Sequence, residues 1–152
     1  LMTWSINWDL VNRREFALNH APYLRSVFLR ADAATFSATT GGTVNFALRG
    51  GRGHAQRYHY LAAGLSGTTP GTSLPGLAIP LNLDNLSALA LSGAAPTLFQ
   101  GFAGRLDASG DAVAKLAAPP IPGAAGNTVH LAYVPANPWD FASNAVAVKI
   151  VP

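Results

Sequence analysis

The chain has no cysteine among its 152 residues, which excludes a disulfide framework and any thiolate metal site. Charge is scarce as well. Asp, Glu, Lys and Arg make up 11% of the sequence, against roughly 25% in an ordinary globular chain. The surface must therefore take its hydration from Ser, Thr, Asn and backbone, a balance that suits a β-rich extracellular protein better than a cytosolic helical one. No apolar run approaches the roughly 20 residues of a bilayer-spanning helix. The longest candidate, LSALALSGAAP, is broken by Gly93 and Pro96, so no membrane span is expected. A basic n-region and a small-residue cleavage site are both missing from the start, so no signal peptide is read there.

Glycine and proline, by contrast, are plentiful at 15 and 11 residues, and 49% of the chain is hydrophobic. The net charge of +3 is unevenly spread. Through Arg57 there are seven arginines (Arg13, Arg14, Arg25, Arg30, Arg49, Arg52 and Arg57) against Asp9, Glu15 and Asp32. Only RGGRGHAQRYHY hints at a nucleic-acid surface, which requires a dense basic face with stacking aromatics. It reads instead as a Gly-rich hairpin turn with solvated arginines, so no nucleic-acid partner is expected.

Along the chain, LMTWSINWD reads as the last strand of a larger fold, and DLVNRREFALNHAPYL as a short amphipathic helix stopped by Pro22. One strand followed by one helix is a βα unit, which belongs to a parallel sheet or barrel. From about Ser26 the pattern becomes all-β. TFSATT and TVNFALRG flank Gly41 and Gly42, a two-glycine hairpin signal, with Val44, Phe46 and Leu48 on one face. Tyr58, Tyr60 and Ala62 follow at period two, and TTPGTSLPG is a loop that can be neither helix nor central strand. LAIPLNL and LSALALSG read as strands. Two more flank the turn from Asp107 to Gly110, and TVHLAYVPA and FASNAVAVKIVP complete the set. Seven to nine short strands with regular turns predict an antiparallel immunoglobulin-like β-sandwich. The expected domains are a strand-helix remnant over residues 1–26 and a sandwich over residues 27–152.

The opening is more specific than a βα unit. LMTWSINWD, with EFALNHAPYL behind it, resembles the end of the (β/α)8 catalytic barrel in bacterial glycoside hydrolase family 18 chitinases. The resemblance implies that Trp4 forms the floor of the sugar site, at the end of a barrel strand where such enzymes build their sites, with its flat indole against the pyranose ring. Trp8 is read as a core residue. The family's Asp-x-x-Asp-x-Asp-x-Glu pattern, which supplies the acid in its substrate-assisted mechanism, is absent. Glu15 is the single glutamate and has no Asp two residues before it. No catalytic residue is therefore assigned, and the resemblance implies a parent enzyme that cleaves β-1,4-linked N-acetylglucosamine polymers, with this chain inactive alone.

No other constellation replaces the missing acid. Ser5, Ser26, His20, His54, His59 and His130 form no nucleophile motif, and His54 and His59 lack the one-face helical spacing of a zinc site. Asp107, Ser109 and Asp111 alternate as in a calcium loop, but the glycine precedes the third ligand and no bidentate acid follows at the right distance. A polar hairpin turn explains them better. Neither a metal nor a cofactor is expected.

GLSGTTPGTSLPG, LDASGDAVAKLAAPP and FASNAVAVKIVP resemble a C-terminal β-sandwich module of secreted environmental bacterial proteins, which implies an extracellular location and an architecture but no activity. The expected function is thus the C-terminal piece of a secreted chitinase-like hydrolase, with chitin or a related polysaccharide as partner through the parent enzyme. The alternative is a non-catalytic glycan-binding or cell-surface sorting module. Tyr58, Tyr60, Tyr133 and Trp139 are the aromatics available for a stacking platform, although the face shared by Tyr58 and Tyr60 is more often core. The sequence leaves oligomeric state open.

Overall fold

Alternation of apolar and polar side chains dictates the two long strands at the centre of one sheet. In the computed structural model, which describes residues 28–152, Val44, Phe46 and Leu48 of β3 (Gly42–Arg49) are fully buried. β9 (Asp111–Ala118) runs antiparallel beside it and sets Leu116 opposite Val44 and Ala114 opposite Phe46. The small Ala114 makes room for the phenyl ring, which meets Phe102 edge-on at 6.2 Å. β1 (Phe28–Ala31) and β7 (Phe99–Gln100) complete this sheet in the order β1-β3-β9-β7, all antiparallel.

The second sheet has the order β2-β11-β10-β4-β8. Its strands are β2 (Thr35–Ser37), β4 (Tyr58–Gly64), β8 (Ala103–Arg105), β10 (Thr128–Pro135) and β11 (Val146–Val151). Leu61, Ala63, Val129, Leu131, Tyr133, Val148 and Ile150 from its inner face share one core with Leu29, Val44, Phe46 and Leu116 of the first sheet. The molecule is mainly β, with two sheets face to face in a sandwich-like stack. β10 is buried continuously from Leu131 to Pro135, because its outer face is covered too. That cover is the hairpin of β5 (Thr72–Leu74) and β6 (Leu77–Ile79), where Ile79 and Leu81 pack on Ala62, Ala132 and Val134.

Local expectations change at several points. LSALALSG is a helix, α1 (Asn85–Ser92), not a strand. Asp84 accepts the backbone N–H groups of Leu86 and Ser87, the Ser87 hydroxyl accepts the Asp84 N–H, and Gly93 closes the far end in the left-handed region. Those caps outweigh the apparent alternation. The Gly41–Gly42 turn makes no hairpin between its flanking strands. β2 leaves for the other sheet and pairs in parallel with β11, while the turn carries the chain across to β3. The run TLFQGFAGRL is likewise not one strand, since β7 and β8 lie in different sheets. Gly101 makes the step between them at φ 68°, where a Cβ would lie 2.7 Å from the Val113 carbonyl oxygen.

The βα unit expected over residues 1–26, with Trp4, Trp8, Glu15 and His20, lies outside the described residues. Among the described residues no helix is long and apolar enough to cross a membrane.

Candidate functional site

The outer face of the five-stranded sheet carries a developed surface feature. On β4, Tyr58, Tyr60 and Ala62 point outward while His59, Leu61 and Ala63 point into the core, as the period of two requires. Tyr60 lies opposite Val134 and Ala62 opposite Ala132 on β10. The two alanines leave the sheet surface low, and the β5–β6 hairpin rises beside it. The result is an apolar groove of about 310 Å³. Leu74 and Ile79 from the hairpin, Leu91 from α1, and the rings of Tyr60 and Trp139 wall it in.

Trp139 comes from the loop after β10. Its indole lies nearly parallel to the Tyr60 ring, 29° between planes and 5.9 Å between centroids, and stays 45% exposed. Tyr58 is 48% exposed beside them. The guanidinium of Arg105, directly across from Tyr58 on β8, sits 4.6 Å from the centre of that ring, a cation–π contact. The face shared by Tyr58 and Tyr60 is thus the outer one, not the core. Tyr133 is the exception among the four aromatics. It is wholly buried between the sheets, against Phe141, and takes no part in the platform, because an odd offset from Ala132 turns it inward.

Arg57 fixes the loop that carries Trp139. Its guanidinium donates to the carbonyls of Ala136 and Pro138 and to both oxygens of Asp140. The side chain is only 14% exposed. The Ala136 N–H donates to the Tyr58 carbonyl at 2.7 Å, extending the β10–β4 pairing into the loop. One arginine from the RGGRGHAQRYHY stretch is therefore a part-buried strut and not a solvated charge. Spacing carried no signal for this role, since residues 57 and 140 meet only through the fold.

Every carboxylate among the described residues is already committed. Asp32 takes the Asn45 side-chain amide and backbone N–H, and these hold its carboxyl below the usual range. For Asp84, burial pushes the value up, but the Ser66 hydroxyl and the backbone N–H groups of Leu65, Ser87 and Ser66 outweigh it and leave a net lowering. Asp107 accepts the N–H groups of Asp111 and Ser109 within its own turn and is lowered by them. This is the polar turn expected there, but the strands it joins, β8 and β9, lie in different sheets, so it closes no hairpin. Asp111 pairs with Arg49, and Asp140 is lowered by its bond to Arg57. A general acid at neutral pH needs a raised pKa, and four of these five are displaced the other way.

The histidines do not converge either. The Nδ1 of His54 lies 2.6 Å from the Gly50 carbonyl. His59 is buried on β4 with Nε2 3.1 Å from the Gly101 carbonyl, and its burial depresses its pKa, although the Gly101 carbonyl pulls the other way. Among the described residues no group of three His, Cys, Asp or Glu is placed to hold a metal ion. The arrangement can stack on a flat partner and enclose an apolar group; among the described residues it brings together no acid, base or nucleophile poised for bond cleavage. No known protein family, curated protein or solved structure matches the chain.

Proposed function

We propose that residues 28–152 form a non-catalytic, immunoglobulin-like binding domain that holds N-acetylglucosamine polymer for a secreted chitinase-like hydrolase. On this reading residues 1–26 supply the last strand and helix of the catalytic barrel, with Trp4 in its sugar site. The observation that carries the binding role is the exposed indole of Trp139, stacked on the partly buried Tyr60 ring beside the exposed Tyr58 on the outer sheet face. Aromatic faces take up the C–H faces of pyranose rings, and Tyr and Trp also offer a polar edge to water. The Arg57 strut holds the indole in place before any ligand arrives, which limits the ordering cost of binding. The committed carboxylates support a binding role over a hydrolytic one.

Sedimentation of the full chain with crystalline chitin tests the proposal. The wild-type chain is expected to leave the supernatant, and Trp139→Ala and Tyr60→Ala each to weaken binding by roughly tenfold, from stacking contributions of about 1 kcal/mol or slightly more. Absence of depletion, or undiminished binding by folded Trp139→Ala, contradicts it.

A further inference from the structure

Resting on that binding reading, we propose that the groove beside Trp139 receives the acetamido methyl group of the polymer and makes the domain selective for N-acetylated over free-amine glucosamine chains. A pyranose stacked on the indole presents its ring substituents at its periphery, and the groove adjoins that periphery. The floor is the cross-strand pair Ala62 and Ala132, the smallest side chains that still cover the backbone. Its walls are the aliphatic Leu74, Ile79 and Leu91.

Among the described residues no charged side chain lines this space. A neutral acetamido group can leave its methyl there and keep its polar atoms toward solvent. A protonated amine on the same sugar carbon has to give up water against aliphatic walls, with no carboxylate to receive it, which is strongly unfavourable. The charges nearby reinforce the discrimination. Asp140, next to Trp139 in the chain, is already taken by Arg57, and Arg105 places a cation on the Tyr58 ring of the same platform. Like charges disfavour a cationic chain across the whole surface, but only the groove distinguishes one substituent from the other at contact distance.

The test measures depletion of the full chain by chitin particles and by the same particles after alkaline deacetylation, at pH 5.5 where the amines are protonated. The expected result is at least about tenfold weaker binding to the deacetylated surface. Ala62→Leu fills the groove floor while leaving Tyr58, Tyr60, Trp139 and every charge in place. In this variant, shown to be folded by its circular dichroism, the ratio between the two surfaces is expected to fall by threefold or more. Equal binding of the wild-type chain to both surfaces overturns the selectivity and leaves the binding role standing. A ratio unchanged in Ala62→Leu overturns the assignment to the groove. Binding to neither surface overturns the binding role itself.

Discussion

Replacing Arg57 by Ala tests whether the Trp139 loop is held by one part-buried guanidinium. The side chain is 14% exposed and donates to two backbone carbonyls, Ala136 and Pro138, besides Asp140. A hydrogen bond involving a charged group contributes about 1.5 to 3 kcal/mol. The Ala136 contact is long at 3.2 Å, so the two carbonyl bonds together are set at the value of about one good bond. The Asp140 pair adds nothing to the sum, because that carboxylate stands in water and exposed ion pairs contribute little. The expected loss is therefore about 1.5 to 3 kcal/mol in urea unfolding, or roughly 3–12 °C in Tm for a chain of this length. Arg57→Lys keeps the charge but loses the planar fork, and is expected to recover less than half of the loss. Chitin affinity should fall alongside, although Arg57 does not line the groove, because the indole loses its fixed position. A loss below about 0.5 kcal/mol, the range of ordinary surface substitutions, refutes the reasoning and shows the loop to be held by its backbone alone.

Two further outcomes follow from buried polar atoms. Among the described residues the Tyr133 hydroxyl is buried with no hydrogen-bond partner, and burial, with a smaller effect from the Asp111 charge, pushes its pKa above the ordinary value. Since an unsatisfied buried hydroxyl is unfavourable, Tyr133→Phe is expected to leave stability unchanged or raise it by about 1 kcal/mol; a clear loss in the same urea titration contradicts this. For His59 the folded pKa lies below the ordinary 6.5, so below that pH the unfolded chain binds more protons and stability declines as the medium is acidified. The contribution is complete above pH 6.5. His59→Gln, which keeps a donor for the Gly101 carbonyl, should flatten the stability profile just below pH 6.5, and an unaltered slope there counts against the assignment.

How far the sequence could be read differs from element to element. Val44, Phe46 and Leu48 announce β3, because a half-buried strand writes its own period, and the Asp107–Gly110 turn is equally local. The parallel pairing of β2 with β11 is not local. Residues 35 and 149 are brought together by the packing of two sheets, and nothing within either segment specifies the partner. α1 was in principle legible from Asp84, Ser87 and Gly93, yet its crowded leucines and alanines resemble a strand when the caps are passed over. The site shows the same division. Tyr58, Tyr60 and Trp139 stand out as aromatics in the sequence, but alternation alone does not say which face meets water. That depends on where Ala62 and Ala132 meet and on the hairpin beside them. Tyr133 reads the same as its fellows until Leu131 and Val129 are seen to share its inward face. Arg57 gave no signal, because its acceptors lie about 80 residues away along the chain.

The stacking role of the indole admits one direct measurement. Trp4→Phe with Trp8→Phe leaves Trp139 as the sole tryptophan of the three, and its fluorescence can be followed while a soluble N-acetylglucosamine hexamer is added. A sugar ring settling on the half-exposed indole removes water from it, so a saturable blue shift is expected, which Tyr60→Ala weakens. An emission spectrum that stays unchanged at every soluble concentration of the hexamer, in a chain that remains folded, contradicts it.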